Sequence, residues 1–126
     1  MNVLLDTCAL LALARGELPK EAAATVSDAD EAYVSTVSPW EVAIKTAARK
    51  LRLTEPPFIW FIRMADRYSL REVHLDAHIV CAASELPPIH RDPFDRILVV
   101  LAQTNAWPVV TSDKNIARYS GVKTIW

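Results

Sequence analysis

Four short apolar runs constrain this chain more than anything else in it: NVLLD at residues 2–6, AYVST at 32–36, REVHL at 71–75 and WPVVTS at 107–112. Each reads as a short buried strand, and each is followed by a segment with helical composition. Strands joined by connections of about a dozen residues or more cannot form hairpins, so they pair in parallel with helices crossing over the sheet. The expected fold is α/β, a sandwich with a mainly parallel central sheet between helical layers. TCALLALAR after Asp6 is rich in Ala and Leu and reads as helix. Further helices are expected from Pro19, from Pro39 to about Lys50, from Pro57, from an Asp76 cap to near Pro87, from an Asp92 cap, and briefly after Asp113.

Two helix starts share one grammar. In SPWEVAIK, Ser38 is the expected cap, Pro39 follows it, and Glu41 completes an S-x-x-E capping box. In RDPFDRILV, Asp92 is the cap, Pro93 takes the first helical position, and Asp95 at the third favours the positive end of the helix dipole. Taken singly, each carboxylate is explained as a cap. Asp6 and Asp113, however, follow strand-like runs, and a parallel sheet brings the carboxyl ends of its strands to one edge, where such folds bind ligands. Asp6, Glu41, Asp95 and Asp113 are therefore expected to meet there. At 4 Å and an effective dielectric of 20, each pair of like charges repels by about 4 kcal/mol. Protonation or a hard cation must relieve that, and carboxylates without clustered His or Cys favour Mg²⁺, with Mn²⁺ as a substitute.

Bulk properties narrow the function classes. With 126 residues the chain is read as a single domain spanning 1–126, and a net charge of −1 gives no broad field to attract nucleic acid, which would need a local basic patch. Only two glycines are present, which excludes a glycine-rich phosphate loop. Cys8 and Cys81 lack metal-ligand spacing and read as buried reduced thiols. The N-terminus has no basic region ahead of its apolar run, and no stretch is long enough to span a bilayer, so a cytoplasmic location is expected.

The segments LLDT, SPWEVAIK, RDPFDRILV and VTSDK resemble, in order and over nearly the whole chain, the PIN domain, and most closely the VapC-type toxin nucleases of toxin–antitoxin pairs. The resemblance implies a PIN-like α/β/α sandwich and a divalent-metal-dependent endoribonuclease, with Asp6, Glu41, Asp95 and Asp113 as metal-binding acids and Asp92 as a supporting acid. It also implies a homodimer and an antitoxin that blocks the site. Two other readings remain: an aspartyl-nucleophile phosphatase, which would need a second aspartate where Cys8 stands, and a non-catalytic binding module whose acids only cap helices.

Smaller features complete the expectations. Thr7, Thr111 and Ser112 flank the acids and are placed to hydrogen-bond them, although turn formation would look the same. Lys45 and Arg49 follow Glu41 at intervals of four and are expected on one helical face, tracking RNA or making an ion pair. Arg96 and Lys114 adjoin the acids as candidate phosphate contacts. His90 is read as a loop histidine in a structural hydrogen bond in preference to a leaving-group donor. The segment PPFIWFIRMADRY is apolar around more than one face, so it is either deeply buried or covered by another chain.

Overall fold

The computed structural model describes all residues, 1–126. Five strands form one sheet: β1 (Asn2–Leu5), β2 (Glu31–Ser35), β3 (Leu70–Val73), β4 (Val109–Val110) and β5 (Thr124–Ile125), in the order β3-β2-β1-β4-β5. Every pairing is parallel. Six helices accompany them: α1 (Thr7–Arg15), α2 (Lys20–Asp28), α3 (Val37–Ala47), α4 (Pro57–Arg67), α5 (Ala77–Ser84) and α6 (Pro93–Asn105). A single 3-10 turn follows at Ile116–Arg118. None of the helices is long and apolar enough to cross a membrane.

The α/β sandwich expected from the four apolar runs is the fold observed. Both faces of the sheet are covered at its centre, so β1 from Val3 to Leu5 and β4 are apolar on both sides, whereas the edge strand β3 carries the exposed Arg71 and half-buried Glu72. Along β1 the side chains still divide by face: Val3 and Leu5 pack with α1, α2 and α4, whereas Leu4 packs with α6 and Val109. Leu98, Val99 and Leu101 anchor α6 on that second side. The fifth strand was not anticipated. It holds only Thr124 and Ile125, too few residues for any periodicity, and it exists because Val109 and Thr111 donate backbone N–H bonds to Lys123 and Ile125.

Two helix ends show how local chemistry shapes the frame. Gly16 closes α1 at φ 68°, the left-handed conformation that glycine adopts without cost, and its N–H is shared between the Ala12 and Leu13 carbonyls. Pro56 and Pro57 open α4 where no intrahelical N–H is needed. That helix buries Trp60, Phe61 and Met64 but leaves Phe58, Ile59 and Ile62 exposed, so only one of its two apolar faces is covered. The thiols contradict expectation: Cys8 and Cys81 are both exposed. Helix α1 packs through Thr7, Ala9 and Leu10, and α5 through Ala83, which turns each cysteine outward.

Candidate active site

Strand order reverses between β1 and β4: the chain moves from β1 through β2 to β3 on one side, then fills β4 and β5 on the other. Such a switch point opens a crevice at the carboxyl ends of the two central strands. Asp6 leaves β1 directly into it and caps α1, its Oδ1 accepting the Ala9 N–H at 2.7 Å. Its Oδ2 accepts the Thr111 hydroxyl, and Thr111 Oγ1 in turn accepts the Asp113 N–H at 2.9 Å. One threonine thus ties the end of β1 to the segment after β4. Asp6 is almost wholly buried. Burial pushes its pKa up against the lowering effect of the Thr111 and Ala9 bonds, and the Asp113 and Glu41 carboxylates add to the rise.

Glu41 reaches the same crevice by a route that differs from the capping box. Helix α3 starts at Val37, one residue before the expected cap, and the Val37 N–H donates to Ser35 Oγ at 3.2 Å. Ser38 lies inside the helix, buried, and its Oγ receives the Thr7 hydroxyl at 3.1 Å. Thr7 therefore fastens α1 to α3, where the sequence suggested a bond to a carboxylate. Glu41 sits in the second turn, nearly buried, with the Lys45 ammonium 2.8 Å from its Oε2. That bond raises the Lys45 pKa, outweighing the burial that would lower it.

The third side comes from α6 and the loop before it. Asp92 caps α6 as expected, accepting the Phe94 N–H at 2.9 Å, and Asp95 follows in the first turn. His90 stands between two acids, its Nε2 2.6 Å from Asp113 Oδ2 and 3.2 Å from Asp95 Oδ2. Asp95 is pushed up to about 7, first by burial, then by Asp92, with Asp6 and Glu41 adding to it against the lowering effect of His90. Asp113 moves the other way. Burial would raise it, but the His90 bond and the N–H groups of Asn115 and Ile116 hold it below the usual carboxylate value. Asp6 thus feels the Asp113 and Glu41 carboxylates and Asp95 feels Asp92, Asp6 and Glu41, while His90, Asp95 and Asp113 bring ligand atoms within 4.8 Å of one another.

The basic residues divide. Lys45 is paired with Glu41, and Lys114 is exposed directly after Asp113. Arg49 is not on the α3 face: the helix ends at Ala47, and Arg49 follows the cap in a left-handed conformation, φ 59°. Arg96 is not free for phosphate either. Its Nε donates to the Ala83 carbonyl at 3.0 Å, Nη1 to Pro87 and His90 at 3.1 and 3.0 Å, and Nη2 to Leu86 at 2.8 Å. Ser112 is exposed. Tyr119 was missed because nothing around it in the sequence marks it, yet its hydroxyl accepts the His90 N–H at 2.9 Å. On the rim, Trp40 of α3 and Phe94 of α6 meet edge to face at 4.9 Å, a contact of about 0.5–1.5 kcal/mol that holds the two acid-bearing helices together.

Residues 3–122 match the PIN domain family. The chain belongs to it. Among curated relatives, Ribonuclease VapC22 of Mycobacterium tuberculosis is 27% identical over 112 residues, 86% of this chain and 85% of the relative. Among solved structures, VapBC2 from Rickettsia felis bound to a promoter DNA fragment contains a chain that aligns with a TM-score of 0.70 at 13% identity, covering 99% of this chain and 98% of that one. FitAB bound to an IR36 DNA fragment gives 0.67 at 17% identity, covering 99% and 94%. PAE2754 from Pyrobaculum aerophilum gives 0.62 at 17% identity, covering 98% and 83%. At these identities the structures share the fold, so the PIN-domain α/β/α sandwich stands on both sequence and geometry.

Proposed function

We propose that this PIN-domain protein is a divalent-metal-dependent endoribonuclease, with residues 1–126 acting as one nuclease domain, and that it serves as the toxin of a toxin–antitoxin pair. What supports the reading is that Asp6, Glu41, Asp95 and Asp113 come from four separate segments toward the carboxyl ends of the central strands, with Asp95 and Asp113 facing one another across His90. The likeness to Ribonuclease VapC22 over most of both chains supports RNA as the substrate.

The donor set fits a hard cation. It is carboxylate oxygen, partly buried, and burial followed by the crowding of Asp92 pushes Asp95 up to about 7. Asp6, Glu41, Asp95 and Asp113 would hold Mg²⁺, or Mn²⁺ in its place, with Asp92 in support. The ion would supply charge neutralisation and Lewis acidity for hydrolysis of an RNA phosphodiester. The protein's own groups do the rest. Thr111 fixes the Asp6 carboxylate, the helix dipole and N-terminal amides of α6 favour negative charge at Asp95, and Lys114 offers a cation beside Asp113 for a substrate phosphate. Lys45, already paired, balances Glu41 and contributes to the local field.

A protein partner belongs to the same reading. Trp40 and Ile44 on α3, which carries Glu41, and Phe58, Ile59 and Ile62 on α4, which packs on α3, are exposed large apolar side chains, a surface suited to an antitoxin segment. Two of the structurally similar proteins are complexes named VapBC2 and FitAB. A cytoplasmic homodimer completes the proposal, and sedimentation of the purified chain at micromolar concentration decides the oligomeric state.

The test is RNA cleavage by the purified protein, with Mg²⁺ and with chelator, beside Asp6→Asn and Asp95→Asn. Asparagine retains a capping acceptor but loses the charge a cation needs, so both variants should stay folded and lose cleavage, as the wild type should with chelator. Near-wild-type cleavage by both variants sinks the proposal and leaves the acids as helix caps. Growth arrest on expression, relieved by co-expressing the protein of the adjacent reading frame, tests the toxin role.

A further inference from the structure

Helix α5 ends because Pro87 and Pro88 cannot continue it. A helix running on would place the Pro87 nitrogen opposite the Ala83 carbonyl, but proline has no N–H, so that carbonyl loses its partner. The Arg96 guanidinium, arriving from the first turn of α6, supplies the missing donor. It then reaches Leu86, Pro87 and His90 carbonyls in turn, so one planar cation satisfies four acceptors on successive parts of the same loop. The Tyr119 hydroxyl closes the loop from the other side, accepting the His90 N–H at 2.9 Å and donating to the Pro87 carbonyl at 3.0 Å.

This framework determines how His90 presents its ring. Nδ1 accepts the Asp92 N–H at 3.1 Å, so it carries a lone pair and the ring proton of the neutral imidazole is on Nε2. Nε2 is the atom between Asp113 and Asp95, and a protonated nitrogen donates; it has no lone pair for a metal. Although His90, Asp95 and Asp113 offer ligand atoms within 4.8 Å of one another, the histidine enters this group as a donor to the carboxylates.

We propose that Arg96 and Tyr119 form a clamp that aims the Nε2–H of His90 at Asp95 and Asp113, making His90 a positioning residue that holds the two carboxylates together, facing a common cation. The proposal rests on the metal-dependent reading above. Partners that orient metal ligands in this way change affinity by about 10–100-fold when removed.

The experiment titrates Mg²⁺ into the metal-free full-length protein by calorimetry, comparing wild type, His90→Ala, Arg96→Lys, Tyr119→Phe and the His90→Ala/Arg96→Lys double variant. Each single change should weaken Mg²⁺ binding, by about tenfold for His90→Ala. The double variant should bind no worse than His90→Ala alone, because both changes break one unit. A merely structural clamp would lower melting temperatures and leave Mg²⁺ affinity in place. Equal or tighter Mg²⁺ binding by His90→Ala overturns the proposal, as does a selective loss of Zn²⁺ binding, which would make His90 a ligand. In parallel, nitrogen NMR of the metal-free protein should find His90 protonated on Nε2, and averaged between tautomers in Arg96→Lys or Tyr119→Phe. A wild-type ring protonated on Nδ1, or variant spectra identical to wild type, also overturns it. If wild type takes up no Mg²⁺, the metal-dependent reading fails, while the NMR result still decides the clamp.

Discussion

Helices α3 and α6 each deliver one carboxylate to the crevice, and they do so by opposite means. Asp95 sits in the first turn of α6, behind a side-chain cap, where burial and then crowding by Asp92, Asp6 and Glu41 oppose the charge that His90 and the helix dipole favour. Glu41 sits two residues further in, in the second turn of α3, beyond the dipole's short reach, and its charge is met by Lys45 on the same helix. One acid is left frustrated and the other is already neutralised. A frustrated carboxylate in a partly buried site gains most from an arriving cation, so the α6 side is where ligand binding and stability are most strongly linked.

The largest expected effect tests that linkage. At about a hundredfold excess over Kd, Mg²⁺ should stabilise the wild type by about 2.7 kcal/mol in thermal melts. Asp95→Asn should lose most of this gain; an equal gain in that variant would show that α6 takes no part in the site.

Next comes the pH dependence of the metal-free protein. The Asp95 pKa is raised from 3.8 to about 7 on folding, so the native state binds the extra proton and its stabilisation is complete at low pH. It is lost as pH rises through 7. The lowered Asp113 has the opposite sign, and its contribution is lost only in acid, as pH falls through its depressed value. Between pH 5 and 8 the wild type should therefore melt progressively lower while Asp95→Asn loses that trend. Parallel profiles would remove the contrast with Glu41.

Capping separates the two helices on a smaller scale. Asp92→Ala should cost about 1 kcal/mol, the usual price of an N-cap, measured by chemical denaturation. Ser38→Ala should destabilise through the stranded Thr7 hydroxyl, so removing both hydroxyls in Thr7→Val/Ser38→Ala should recover part of the loss. If Thr7→Val leaves the Ser38→Ala penalty untouched, Ser38 acts as a cap after all. The smallest effect is expected when Lys45→Met is combined with Glu41→Gln, since removing both partners strands no charge and forfeits only an i,i+4 ion pair of about 0.3–0.5 kcal/mol.

Much of this molecule is determined by its sequence acting locally. Strand and helix alternation, proline at the first turn of α4 and α6, and the Asp76 and Asp92 caps depend on neighbours a few residues away, and each is where local chemistry puts it. Acids following β1 and β4 also share an edge as soon as the sheet is parallel. What only the tertiary structure decided are the contacts between residues far apart in the chain. Glu41 looked like a helix-start acid until α3 began at Val37, with Thr36 as its N-cap and Ser38 drawn inside the helix to receive the Thr7 hydroxyl. Arg96 looked like a phosphate ligand beside two aspartates until the Ala83 carbonyl stranded by Pro87, with the loop carbonyls of Leu86, Pro87 and His90, claimed its guanidinium. His90 bridges Asp95, five positions on, and Asp113, 23 positions on in the segment after β4. A side chain's hydrogen-bonding capacity is written in its residue type, but its partners depend on which distant groups folding leaves unsatisfied within about 3 Å of it.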